Sequence, residues 1–216
     1  MKDKSNIGKR RAAAIEKNST GYNARREEII NAAAQVFKVR GYRGTKLADI
    51  ATVLGIDRVS LYYYISSKDE VFEEVVTAVV ISNTEHILEI RDSSIPVEQK
   101  LRDTIEHVMN AYADNYPFLY VYLQENLSHV APNRMEWASK MREINRRYTQ
   151  ALVEIIQQGY DSGTFREVAP AGVVANGVLG MVSWTNRWFD PNRSQVTAEV
   201  IGRGYADIIL DGLSKT

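Results

Sequence analysis

The chain has 216 residues, with 27 Lys/Arg, 27 Asp/Glu and no cysteine. That length allows one large domain or two small ones, and the missing cysteines exclude disulfide frameworks, cysteine-ligated zinc and thiol catalysis while fitting a reducing compartment. A formal net charge of zero conceals an asymmetry: residues 1–66 carry 13 basic and 6 acidic side chains, and residues 67–216 carry 14 and 21, so one end is suited to a polyanion.

Residues 1–21 are polar and basic with no apolar periodicity, which predicts a flexible arm. There is no apolar stretch behind them, so no secretory leader is expected. From Arg25 a helical stripe runs through Ile29, Ala33, Val36 and Phe37, with Gly41 as its stop. Thr45 is placed to cap a short second helix whose inward set is Leu47, Ile50, Ala51 and Leu54, ended by Gly55. Asp57 caps a third helix reaching about Ile65. Ser67 opens a fourth, with Glu70 completing a capping box, and this helix runs to about Arg91.

The remainder is helical as well. Pro96 starts a helix ending near Tyr116, and Pro117 starts another reaching about Val130. A long helix spans 133–161, stopped by Gly159 and Gly163, and the last two cover 169–188 and 194–213. The apolar runs fall far short of a membrane span, and no alternating strand pattern or internal repeat is visible. The expected class is all-α with about nine helices.

Two short helices joined at Gly55 behind a longer one form a helix-turn-helix layout over about 46–65, whose second helix enters a DNA major groove. At about 100° per residue, Arg58, Val59, Tyr62 and Tyr63 share one side of that helix, and Ser60, Leu61 and Tyr64 the other. The first side is positive and aromatic, suited to bases and phosphates; Tyr64 is assigned to the core. Lys68 lies in the first turn of the next helix, where free backbone N–H groups also attract phosphate. The competing reading of the same residues is a helical small-molecule-binding or scaffold protein that does not bind DNA.

The stretch GTKLADIATVLGIDRVSLYYYISSKDEVFEEVV resembles the DNA-binding domain of TetR/AcrR-type transcriptional regulators. Thr45, Ile50-Ala51, Gly55, Leu61-Tyr62 and Lys68-Asp69 carry the likeness. Ile65 stands where the family commonly has Phe, Tyr63 where it has His, Asp69 where it has Glu, and Val59 where it has a small Gly. The resemblance implies that Tyr62, Tyr63 and Lys68 touch phosphates and that Arg58, Val59 and Ser60 touch base edges. It places Thr45, Lys46 and Arg43 against the DNA backbone, and allows Lys9, Arg10 and Arg11 to follow the minor groove.

The implied organisation is an arm (1–21), a DNA-binding domain (22–68) and an effector-binding and dimerisation domain (69–216). The implied partners are a palindromic or near-palindromic operator, a second copy of the chain and a small hydrophobic effector, in the cytoplasm and on the nucleoid. No cofactor, metal or membrane is expected, and repression is the family default.

The effector candidates are Tyr112, Tyr116, Tyr120, Gln124, Trp137, Tyr148, Trp184, Arg187 and Trp188, within an aromatic set that also holds Phe118 and Tyr122. Such a mix suits an apolar ligand with a few polar anchors; Arg146, Arg147 and Arg187 are candidates for an anionic group. Glycines inside the last two helices cost about 1 kcal/mol each relative to Ala, so close helix approach between subunits is expected, with Gly177, Met181, Ile201, Tyr205 and Ile208 at the interface. YVYLQENL, QQGYDSGTFR and SWTNRWFDP are similar to the branch of the family whose effectors are acyl-CoA thioesters. Enzyme readings find little: His86, His107 and His129 lack ligand spacing, and there is neither a Gly-rich phosphate loop nor a nucleophile elbow.

Overall fold

The computed structural model describes residues 20–124 and 127–213. Among these residues there are nine α-helices and no strand. They are α1 (Thr20–Gly44), α2 (Leu47–Leu54), α3 (Arg58–Tyr64), α4 (Lys68–Asp92), α5 (Val97–Asp114), α6 (Phe118–Leu123), α7 (Met135–Asp161), α8 (Ala171–Trp184) and α9 (Ala198–Leu213). Lys9, Arg10 and Arg11 lie outside the described residues, as does most of the expected arm, while Gly21 already belongs to α1.

The chain forms two compact units that part at Ala78/Val79, inside α4. The sequence placed the division at 68/69. The first turns of α4 explain the difference: Val71, Phe72, Val75 and Val76 are buried, and the Phe72 ring packs against Phe37 and Tyr42 (centroids 6.0 and 4.5 Å). The first unit therefore needs these turns for its core, which also holds Ile29, Ala33, Ile50, Leu61 and Ile65.

Local chemistry explains the helix ends. Gly41 interrupts α1 at φ 68°, a conformation that glycine reaches without strain. The residue capping α2 is Lys46; Thr45 is buried and its hydroxyl donates to the Gly41 carbonyl (2.7 Å). The expected Thr45 cap is replaced by Asp49, which accepts from the Lys46 N–H (2.8 Å). Asp57 caps α3 by accepting from the Ser60 N–H (2.9 Å). Ser67 accepts from the Glu70 N–H (3.1 Å), and Glu70 reaches back to the Ser66 N–H (2.8 Å).

In the second unit, α9 lies along α5. A Cβ on Gly202 would come within 3.0 Å of the Glu106 Cα, so glycine permits that approach. Helix α6 is much shorter than the expected run to Val130, because the apolar stretch FLYVYL ends at Leu123. Gly159 does not stop α7. It sits under the Phe165 ring, where a Cβ would lie 2.0 Å from Cδ2, and the turn is made at Gly163 (φ 71°).

Candidate nucleic-acid interface and ligand cavity

In α3 the Asp57 cap fixes the first turn, and Leu61 is fully buried as the anchor on the core. The first turn faces solvent: Arg58 and Ser60 are exposed and Val59 is 65% exposed. The Arg58 guanidinium lies over the Tyr62 ring (5.4 Å) and donates to its hydroxyl (3.1 Å). The Ser60 hydroxyl donates to Asp57 (2.5 Å), so the cap occupies its proton. Those hydrogen bonds from Ser60 hold the Asp57 carboxyl below its usual range, which keeps the cap charged. Arg43 and Lys46 are exposed at the α1–α2 corner.

Two of the sequence candidates are tied inward and a third, Tyr63, is partly covered. Thr45 is buried. Tyr63 is half-buried, its ring edge-on to Tyr22 (5.8 Å) and Tyr64 (5.0 Å). The Lys68 ammonium donates to the carbonyls of Tyr42 (2.9 Å) and Thr45 (3.0 Å) and sits 4.3 Å from the Tyr42 ring centroid. Lys68 thus binds the start of α4 to the α1–α2 corner.

Sequence reasoning missed the support behind α3. The Arg26 guanidinium donates to the Tyr64 carbonyl at the end of α3 and to Glu70 (2.7 Å) and Glu74 on α4. Burial opposes its charge, but these carboxylates outweigh burial and raise its pKa. Tyr22 is buried beside Tyr64, with ring centroids 5.1 Å apart. The one signal available was an arginine and a tyrosine on the inward side of α1.

The second unit holds a cavity of about 190 Å³ bounded by α4, α5, α6, α7 and α8. Tyr112 and Tyr148 line it, as the sequence suggested, with Tyr122 from the wider aromatic set. Most of the wall was not foreseen: Val80, Val108, Met109, Leu119, Leu179 and Val182 are aliphatic, and Asn83, Asn145, Ser183 and Asn186 add neutral polar groups. An outer lobe of about 260 Å³ shares Tyr122, Asn145, Tyr148 and Leu179, and adds Leu127 and Thr149.

Seven of the effector candidates do not line the cavity. Trp184 and Trp188 are 61% and 55% exposed, and Arg187 stacks on the Trp184 ring (4.5 Å). The reason is helical phase: Val182 faces the cavity, and two residues on, about 200° around α8, the chain points away. Trp137 packs on Tyr122 (6.2 Å) from behind. Tyr116 and Tyr120 continue the ring contacts outward from Tyr112, and Gln124 donates to Asn186 (3.2 Å). Arg146 is exposed and paired with Glu143 (2.7 Å).

Two family profiles match the chain. The profile for bacterial regulatory proteins of the tetR family covers residues 29–75, and that for the tetracyclin repressor-like C-terminal domain covers 94–213. The chain belongs to the TetR family. It is 27% identical over 197 residues to the HTH-type transcriptional repressor KstR2 of Rhodococcus jostii, spanning 91% of this chain and 94% of that one. Its fold is similar to the TetR-family regulator PfmR from Thermus thermophilus, at TM-score 0.70 and 29% identity over 87% of this chain and 99% of the other. AibR, solved in complex with isovaleryl coenzyme A and operator DNA, shares the fold at TM-score 0.61 and 24% identity, over 85% of this chain and 97% of AibR.

Against this TetR background, α8 and α9 present an apolar face. Val173, Val200 and Ile208 are 61%, 56% and 62% exposed, and Gly177 is exposed beside half-buried Met181. A Cβ on Gly172, Gly177, Gly180 or Gly204 would meet nothing within 4 Å, so the chain's own packing does not require these glycines. Two interface candidates belong to the unit itself. Ile201 is buried next to Gly202, where α9 approaches α5, and the Tyr205 hydroxyl lies 3.0 Å from the Thr185 Oγ1. No helix among the described residues is long and apolar enough to cross a membrane.

Proposed function

We propose that this TetR-family chain is a ligand-responsive, DNA-binding repressor that works as a homodimer and leaves a two-fold symmetric operator when a small, mainly apolar effector enters the cavity. It binds its ligand without transforming it and acts in the cytoplasm on nucleoid DNA. The carrying observation is the exposed Arg58-Val59-Ser60 edge of α3 on an anchored helix-turn-helix. Arg58, Val59 and Ser60 are assigned to base edges, and Tyr62, Tyr63, Lys46 and Arg43 to phosphates. Thr45 and Lys68 hold the frame behind them. The working division is 22–68 for DNA and 69–216 for effector and partner, with α4 as the covalent link.

Gly172, Gly177, Gly180 and Gly204 support the homodimer: they weaken helices by about 1 kcal/mol each and fill no internal need, so close approach of a second copy gives them a purpose. Gly177→Arg with Ile208→Arg should give monomers by light scattering; an unchanged dimer mass would count against this face.

The effector is assigned to the acyl-CoA class, supported by the AibR complex with isovaleryl coenzyme A. Only the acyl end is to enter, since about 190 Å³ is below the roughly 300–1,000 Å³ of whole drug-sized sites. A tenfold loss of DNA affinity requires about 1.4 kcal/mol of differential binding. The test begins with selection from random duplexes, which should enrich a symmetric site; no enrichment overturns the DNA assignment. Isovaleryl-CoA and stearoyl-CoA are then titrated by calorimetry with and without the selected duplex. By linkage, DNA must weaken the effector's binding by the factor by which the effector weakens DNA binding. Equal affinities in the two titrations remove that thioester as the switch.

A further inference from the structure

Among the described residues, the cavity wall contains no Asp, Glu, Lys, Arg or His. A carboxylate or ammonium placed inside would lose its hydration with no counter-charge, which is prohibitive. Whatever enters is therefore neutral where it is buried. Yet the wall is not a plain hydrocarbon sleeve, because three asparagines, a serine and three tyrosines contribute to it.

Most of these polar groups are already engaged. Asn145 Nδ2 donates to the Tyr122 hydroxyl (2.9 Å). The Asn186 carbonyl oxygen accepts from Gln124 (3.2 Å), and the Ser183 hydroxyl donates to the Leu179 carbonyl (2.5 Å). The Tyr112 hydroxyl is directed at the Phe189 carbonyl (3.4 Å). Two groups differ: the Asn83 carboxamide and the Tyr148 phenol line the cavity, are half-buried, and have no hydrogen-bond partner among the described residues. Burial pushes the Tyr148 phenol up, so it stays a protonated donor.

With the cavity taken as the effector site, on which this rests, we infer that the buried part of the effector is an uncharged group bearing a carbonyl or hydroxyl oxygen, recognised by hydrogen bonds from Tyr148 and Asn83 within a mainly aliphatic wall. A saturated group of the same shape displaces water from both side chains and returns nothing. Stranding a buried donor costs enough to lower affinity by about tenfold or more. The cavity has the volume of about six waters, which suits one small ring or a short branched chain.

The experiment uses the full chain and two small probes of nearly the same shape, cyclohexanone and methylenecyclohexane, which differ in C=O against C=CH2. Titrations are followed by the methyl resonance of Met109, which lines the cavity. Cyclohexanone is expected to bind at least tenfold more tightly. Asn83→Leu and Tyr148→Phe should each shrink that ratio while methylenecyclohexane binds as well as before, which also shows the variants are folded. Equal binding of the two probes to the wild type overturns the inference and leaves the cavity as a ligand site. A ratio that survives in the double variant overturns the assignment to Asn83 and Tyr148. Binding of neither probe overturns the effector-site reading itself, and the inference with it.

Discussion

In the first unit Arg58, Val59 and Ser60 stand in solvent on a seven-residue helix, while Arg26, with Glu70 and Glu74, and Tyr22 hold that helix from behind. In the second unit the arrangement is reversed. The groups facing the cavity are recessed, and they come from five different helices. A polyanion offers a surface and long-range charge, so exposed side chains on one rigid edge suffice. A small neutral ligand offers little besides shape and a few hydrogen bonds, so it must be enclosed. The first unit therefore depends on how one helix is braced, and the second on how several helices leave space.

All three tryptophans, Trp137, Trp184 and Trp188, lie in the second unit, so their fluorescence reports on it separately. The largest effect is expected from Gly159→Val, which drives a side chain into the Phe165 ring. About 3 kcal/mol of stability should be lost, seen as a lower tryptophan-monitored midpoint. An unmoved midpoint would show that Phe165 yields freely.

Arg26→Ala leaves Glu70, Glu74 and the Tyr64 carbonyl without their shared donor. These side chains keep some solvent access, so the expected loss is about 2 kcal/mol rather than the full cost of a buried pair. The helical signal should melt earlier and DNA affinity should fall, with the tryptophan midpoint unchanged. Joint movement of both signals would break the comparison by showing that the units unfold together.

His107 provides a pH test of the second unit. Its imidazole is pulled down to about 4 by burial and by the neighbouring His86, against a small opposing pull from Asp114, and its Nε2 is buried without a partner. The folded pKa lies below the unfolded value of 6.5. The stabilisation is therefore complete above pH 6.5 and is lost as pH falls towards 4. The tryptophan midpoint should drop across that window, and His107→Leu should flatten the profile. An equal drop in the variant would assign the acid sensitivity to other groups.

The smallest effect separates Lys46 from Lys68. Lys46→Ala should reduce the slope of log affinity against log salt by about one with stability unchanged. Lys68→Ala should lower the stability of the first unit and leave the slope in place, because its ammonium is engaged by two carbonyls. A slope change for Lys68 would return it to the phosphates.

Much of the first unit was legible. Gly41, Gly55 and Asp57 mark helix ends through backbone chemistry within a few residues, and the spacing of Ile50, Ala51 and Leu61 selects the buried face. Arg26 was barely legible: its place on the inward side of α1 is the one local sign, and it meets Glu70 and Glu74 more than forty positions away. Legibility declines further at the cavity. The sequence favoured aromatic residues because they are large and conspicuous, and it placed Trp184 and Trp188 inside. Asn83, Asn145 and Asn186 look like ordinary surface polar residues until α4, α7 and the turn after α8 bring them to one wall.

The sequence by itself determined the helices, the helix-turn-helix and the separation of basic from acidic halves, because periodicity, capping and charge act over a turn or two of chain. Only the tertiary structure decided that Lys68 faces carbonyls, that α4 serves both units, that Gly159 makes room for Phe165, and which neutral groups line the cavity. Those outcomes depend on the distance and phase between helices far apart in the chain, and a linear pattern does not carry either quantity.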